Sequence, residues 1–172
     1  MNCHDYVIEK LSRNRTLSGH EDMMTKLRRT NATDPDFKAL VELLDEELRI
    51  LDGDEHVFYA QLNKTGDIDA VVAYIDDKPV GTGAIRPFSE DAMEIKRMYT
   101  LNEHRGKGIA SAIVAELETW TKELGYKECV LETGKKQPWA ISLYKTLGFT
   151  ETPNYGKYVG VGNSVCFKKQ LS

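Results

Sequence analysis

The residues with the clearest chemistry in this 172-residue chain are Arg105-Gly106-Lys107-Gly108-Ile109-Ala110. They follow an apolar strand-like run, Ile95 to Thr100, and a polar turn, Leu101 to His104. They open directly into a helical pattern, Ser111 to Trp120. The first N–H groups of a helix lack internal acceptors and point at whatever sits on its N-terminus. The macrodipole adds roughly half a positive charge there. Gly106 and Gly108 have no Cβ atoms to hold phosphate oxygens away from the backbone. Such a loop can hold a pyrophosphate without a metal. Arg105 and Lys107 can add charge, but the backbone binds with or without them.

Three phosphate-binding readings compete with a plainer one, a glycine turn that merely starts a helix. A P-loop requires Gly-x-x-x-x-Gly-Lys-Ser/Thr, and no position supplies it. The dinucleotide fingerprint comes closer: Gly106-Lys107-Gly108-Ile109-Ala110-Ser111 lacks only the third glycine, and Glu132 stands near the distance of a ribose-binding acid. In that fold, however, the glycines turn directly off the strand end. Here Leu101 to Arg105 intervene, and three antiparallel-looking strands come first. The third reading, a coenzyme A pyrophosphate site, depends on the rest of the chain.

Composition narrows the partners. The length suits one domain with a sizeable core. There are 23 Lys and Arg against 27 Asp and Glu, a formal net charge of −4. No basic run marks a nucleic-acid footprint, and no apolar run approaches the roughly 20 residues of a membrane span. Residues 1–22 are polar and read as a flexible N-terminal extension without a secretion signal's apolar core. A cytoplasmic location is therefore expected. Cys3, Cys129 and Cys166 form no Cys-x-x-Cys pair, and the last two sit in strand-like runs as small buried hydrophobes. His4, His20, His56 and His104 lack metal-ligand spacing, so no metal is expected.

The elements that position the loop follow from periodicity. A first strand around Leu27 to Thr30 precedes Asp34-Pro35, a helix start. Phe37, Leu40, Val41, Leu44 and Leu48 give an amphipathic helix to about Arg49, and a second short helix is expected over Glu55 to Leu62. Ala70 to Ile75 and Val80 to Ile85 flank an Asp76-Asp77 turn. Ala92 to Thr100 is a third strand whose alternation breaks at Met98, as a β-bulge would cause. The helix from Gly108 to Leu124 carries the stripe Ile109, Ile113, Val114, Leu117, Trp120 and Leu124, with Gly125 at its C-terminal cap. After a strand at Glu128 to Glu132, Pro138 opens a helix with the stripe Trp139, Ala140, Leu143, Tyr144 and Leu147. Strands near Thr150 and from Ser164 to Lys169 flank the glycine-rich segment 154–163. The order predicts an α+β fold around one mixed, mostly antiparallel sheet.

Ala140-Ile141-Ser142-Leu143-Tyr144-Lys145-Thr146-Leu147-Gly148-Phe149 resembles the second signature of the GNAT acetyltransferase superfamily, Ala-x-x-Leu-Tyr-x-x-x-Gly-Phe. It lies one strand after Arg105 to Ala110, whose Arg-x-x-Gly-x-Ala spacing resembles that superfamily's pyrophosphate loop. Glu132-Thr133-Gly134 resembles a common bacterial version of the intervening segment. The resemblance runs from about Met24 to the C-terminus, so residues 23–172 are expected to form the acetyltransferase domain. It implies a three-layer α/β/α architecture with the sheet splayed at an acetyl-CoA site. One position departs: many members have Asn three residues before the signature Ala, bonding the pantetheine arm, and here it is Gln137. Its amide has the same donors and acceptor on a longer stem.

The resemblance also implies roles. Arg105, Gly106, Lys107, Gly108, Ile109 and Ala110 would hold the pyrophosphate of acetyl-CoA. Met98, Tyr99 and Thr100 would receive the pantetheine arm like an added strand, with the Met98 N–H polarising the thioester carbonyl. Tyr144 would reprotonate the leaving thiolate, since a phenol titrates near 10 and a thiol near 8.5. Glu94 corresponds to the base of many relatives, Glu132 is a second carboxylate near the splay, and some members use no base. The acceptor would be a primary amine of a small molecule or peptide. The acidic stretch Asp52, Asp54, Glu55 and His56, opposite Tyr155 and Tyr158, would favour a cationic one. A non-catalytic acyl-CoA-binding module on the same fold is the alternative, and the family admits a homodimer.

Overall fold

A computed structural model describes residues 24–53 and 68–172. The short helix expected over Glu55 to Leu62 and the domain boundary expected after residue 22 lie outside the described residues. Strand β1 (Lys26–Asn31) leads to helix α1 (Pro35–Asp52), then β2 (Asp69–Ile75), β3 (Lys78–Pro87) and β4 (Ala92–Thr100). A 3₁₀ turn, Asn102–His104, precedes α2 (Ile109–Glu123). The chain continues with β5 (Glu128–Gly134), α3 (Pro138–Thr146), β6 (Thr150–Thr152), a 3₁₀ turn at Gly156–Tyr158, and β7 (Ser164–Gln170). The strands form one sheet in the order β1-β2-β3-β4-β5-β7-β6. Every neighbouring pair is antiparallel except β4 with β5, which is parallel.

Alternation along β2 divides the core in two. Ala70, Val72 and Tyr74 pack under α1 with Phe37, Leu40 and Leu44, whereas Val71, Ala73 and Ile75 face Ile109, Ile113, Val114 and Leu117 of α2 and Tyr144 of α3. A strand buried on both faces has no polar side to show, hence its continuous apolar run. The layers are therefore α1, the sheet, and α2 with α3. Asp34 caps α1, its Oδ1 accepting from the Asp36 and Phe37 N–H groups at 2.8 and 3.0 Å, a cap worth about 1 kcal/mol. Asp76 and Asp77 both adopt positive φ, 50° and 59°, in the tight β2–β3 turn.

Two helical stripes differ from the expected ones. Leu124 is 46 % exposed. The buried set on α2 instead includes Glu116, whose Oε1 accepts from Arg29 Nε of β1 at 2.8 Å. Trp139 is 50 % exposed, and in α3 only Tyr144 is buried. Among the described residues, no helix is long and apolar enough to cross a membrane.

Candidate active site

The site begins where two parallel strands part. β4 and β5 pair from Ala92↔Glu128 to Ile95↔Leu131 and no further, although β4 continues to Thr100 and β5 to Gly134. The cause is visible on the other edge of β4. Thr82 faces Tyr99 and Ala84 faces Lys96, so Gly83 alone stands opposite both Arg97 and Met98. This bulge carries Arg97 at φ 56°, a left-handed conformation that costs a side-chain-bearing residue about 1–3 kcal/mol. Arg97 Nη1 donates to Asp45 Oδ1 of α1 at 2.7 Å, fixing the bent strand. A Cβ on Gly83 would lie 2.3 Å from the Met98 sulfur and 2.8 Å from Ile113 Cγ2, so only glycine fits under the bulge.

A cavity of about 480 Å³ occupies the opening. Its walls include Met98, Tyr99 and Thr100 of β4, Glu132 to Gly134 of β5, Gln137, Tyr144, and the end of α1 at Leu44, Glu47, Leu48 and Asp52. At one end lie Arg105, Gly106, Gly108, Ile109, Ala110 and Ser111. Gly106 and Gly108 have φ 73° and 78°, and Gly108 caps α2 without any side-chain hydrogen bond to the helix N-terminus. The first N–H groups of α2 therefore border the cavity. Arg105 is spent on holding the loop: its Nε donates to the Thr100 carbonyl at 2.9 Å and its Nη2 to Glu47 Oε2 at 2.6 Å. Lys107 is exposed and does not line the cavity. Thr100 Oγ1 and His104 Nδ1 are buried without a hydrogen-bond partner among the described residues. The N–H groups at the start of α2, with Gly106 and Gly108 leaving the backbone approachable, suit a diphosphate ester.

Tyr144, also in the wall, is 6 % exposed, with its ring against Phe149 and Phe167 at centroid distances of 5.8 and 6.2 Å. Burial pushes its hydroxyl well above the usual phenol range, and the Glu132 charge adds to that, so it stays a proton donor. Burial likewise raises the Glu132 carboxyl, although the Ser164 hydroxyl donates to its Oε1 at 2.5 Å and the Lys96 charge opposes the rise.

The structure separates the two carboxylates that the sequence left as alternatives. Glu94 is 1 % exposed and does not line the cavity. Its Oε2 accepts from Arg86 Nε and Nη2 at 2.9 and 2.7 Å, and its Oε1 accepts from the Tyr155 hydroxyl at 3.2 Å. Glu132 does line the cavity, with Tyr144. Asp52 reaches the cavity too; Asp54, Glu55 and His56 lie outside the described residues. Tyr158 lines the wall, while Tyr155 sits behind it, at 5.7 Å between ring centroids.

Sequence reasoning missed Lys96 and Trp139 as contributors and named Asn163 only as the end of the segment 154–163. Lys96 lines the cavity and donates to the Tyr158 hydroxyl at 2.8 Å; its position two residues after Glu94 on one strand face was the available signal. Asn163 enters the wall from the glycine-rich segment, whose fold Asn154 organises through Nδ2, within 3.0–3.3 Å of the Tyr158, Val161 and Ser164 carbonyls. Trp139 stands at the cavity as an exposed aromatic.

The geometry agrees with known proteins. Residues 37–149 match the model of the acetyltransferase (GNAT) family. N-acetyltransferase 8B from Homo sapiens is 38 % identical over 86 residues, which cover 47 % of this chain and 38 % of the human protein. YjgM from Escherichia coli, described as an uncharacterized N-acetyltransferase, is 33 % identical over 108 residues, covering 61 % of this chain and 64 % of its own. The chain thus spans under two thirds of these curated relatives. A structure from Klebsiella pneumoniae, described as a candidate acyl-CoA N-acyltransferase, superposes with a TM-score of 0.74 at 28 % identity, covering 87 % of this chain and 99 % of the other. The PaiA N-acetyltransferase of Thermoplasma acidophilum, solved in complex with coenzyme A, shares the fold at a TM-score of 0.64 and 18 % identity, covering 85 % of this chain and 98 % of its own. With the splayed β4–β5 pair, the glycine-capped helix and both signatures in place, the chain belongs to the GNAT acetyltransferase family.

Proposed function

We propose that the protein transfers an acetyl group from acetyl-CoA to a primary amine of a small molecule or peptide, by direct attack in a ternary complex. One observation carries this reading: one cavity is lined by the glycine-capped N-terminus of α2, by Tyr144 and by Glu132. The α2 N–H groups and glycine loop hold the diphosphate, and the freed edge of β4 with Gln137 holds the pantetheine arm. Acetyl-CoA supplies an acyl thioester. The Met98 N–H, at the bulge, donates to its carbonyl oxygen, a fixed donor in a water-poor site being worth about 3 kcal/mol.

Glu132, the carboxylate that β5 brings to the cavity, takes the proton from the attacking amine, directly or through one water. Its raised proton affinity makes it a stronger base than an exposed carboxylate. The new N–C bond forms as the C–S bond breaks, and Tyr144 gives its hydroxyl proton to the departing sulfur. Glu94, clamped by Arg86 and Tyr155, serves as a buried counter-charge that orders the acceptor wall. The test is acetyl-CoA turnover across amino acids, polyamines, aminoglycosides and peptides, reading thiol release and product mass together. Equimolar thiol and acetylated amine are expected. Acetyl-CoA binding with no acceptor acetylated would reject transfer in favour of a non-catalytic acyl-CoA-binding module.

A further inference from the structure

The acceptor side of the cavity holds a cation that the reaction scheme does not use. Lys96 is 9 % exposed and lines the wall. Among the described residues its ammonium has one hydrogen-bond acceptor within 3 Å, the neutral Tyr158 hydroxyl at 2.8 Å. The nearest carboxylate oxygen among the described residues, Glu94 Oε1, forms an ion pair at 3.8 Å and already accepts from Tyr155, while Oε2 of the same group is held by Arg86. The groups acting on Lys96 are Arg86 of β3, Glu94 of β4, Glu132 of β5, and Lys157 of the glycine-rich segment.

Position adds to this. The β4–β5 pairing ends at Ile95↔Leu131, so Lys96 and Glu132 are the first residues past the split, on the same sheet face. One strand thus brings an ammonium and the other a carboxylate to the acceptor side. Lys96 stands two residues before Met98, just ahead of the bulge at Arg97. We propose that the acceptor is an amine bearing a nearby carboxylate, in the manner of a free amino acid, and that Lys96 binds the carboxylate while the amine approaches Glu132. The inference rests on the acetyl-transfer reading and names its substrate class. It also refines the sequence-based expectation of a cationic acceptor, because a zwitterion meets both Glu132 and Lys96.

The experiment compares acceptors that share a side chain: phenylalanine, phenylalaninamide and phenethylamine, with parallel sets built on leucine and glutamate, at pH 7 and saturating acetyl-CoA. The amide's amine is the less basic of each set and so the more deprotonated, which makes any preference for the free acid run against amine reactivity. The wild-type protein is expected to favour the free acid in kcat/KM by tenfold or more over both analogues. Lys96→Met is expected to bring that ratio to within threefold of one, and Lys96→Arg to restore at least half of the preference on a logarithmic scale. Equal or better use of the amide and the decarboxylated amine by the wild type would overturn the inference and leave acetyl transfer standing. An unchanged ratio in Lys96→Met would overturn the assignment to Lys96. No turnover of any acceptor, with acetyl-CoA still bound, would overturn both readings together.

Discussion

Replacing Lys96 by Met is expected to make the protein more stable. Burial pulls the Lys96 ammonium from 10.5 down to about 8, against the pull of Glu94 in the opposite direction and with help from Lys157 and Arg86. Each pH unit is worth about 1.4 kcal/mol. At pH 7, where lysine is charged in both folded and unfolded chains, the fold therefore carries a penalty of about 3 kcal/mol. Met keeps the apolar stem but gives up the hydrogen bond to Tyr158, worth about 1 kcal/mol. The net gain is about 2 kcal/mol, or about 4–8 °C in a chain of this size. The sign with pH follows from linkage. The folded pKa is the lower one, so the penalty is complete below pH 8. It shrinks as the wild-type ammonium loses its proton and is gone by about pH 10.5, where the unfolded lysine is neutral too. Urea unfolding followed by tryptophan fluorescence at pH 6.5, 7.5, 9 and 10 reads this directly. A Met variant less stable than wild type at pH 7, or a difference that stays constant from pH 6.5 to 10, would refute the reasoning. A buried cation kept at such a cost points to a task, and carboxylate binding supplies one.

Gly83→Ala is expected to lose about 1–3 kcal/mol, since its Cβ lands 2.8 Å from Ile113 Cγ2 and 3.0 Å from Leu117 Cδ1 as well as on the Met98 sulfur; urea unfolding measures the loss, and calorimetry should show weaker acetyl-CoA binding as the bulge shifts. Glu132→Gln is expected to lower kcat/KM by a factor of order 10²–10⁴. In the wild type, kcat/KM should rise with pH through a limb placed above the ordinary carboxylate value of 4.5, because burial holds the proton on Glu132; initial rates from pH 5 to 8 check this, and the limb should vanish in the Gln variant.

The loop and its helix were legible because their chemistry is local. Gly106, Gly108 and the apolar stripe from Ile109 to Leu117 specify a left-handed turn and a buried helix face within a few residues. The break at Met98 likewise announced the bulge, and the Asp34-Pro35 start matched the cap seen in α1. What stayed hidden depends on which element covers which face. Glu116 reads as a surface residue until Arg29, far away in sequence, is placed against it by β1. Trp139 and Leu124 fall on helical stripes, yet both stand exposed at the ends of their helices, where no buried face of the sheet receives them. The separation of Glu94 from Glu132 needed the register of β3 on β4, which sets Arg86 opposite Glu94, and the point at which β4 and β5 part. Gly83 gave no sign of its role, because the group it makes room for sits on another strand.

Tyr144→Phe tests the central claim most directly. The substitution keeps the ring against Phe149 and Phe167 and removes only the proton that the scheme gives to the thiolate. With an acceptor in hand, kcat is expected to fall by a factor of order 10–10⁴ while the dissociation constant for acetyl-CoA, measured by calorimetry on the same preparation, stays within twofold of wild type. An unchanged kcat in the Phe variant would contradict the account.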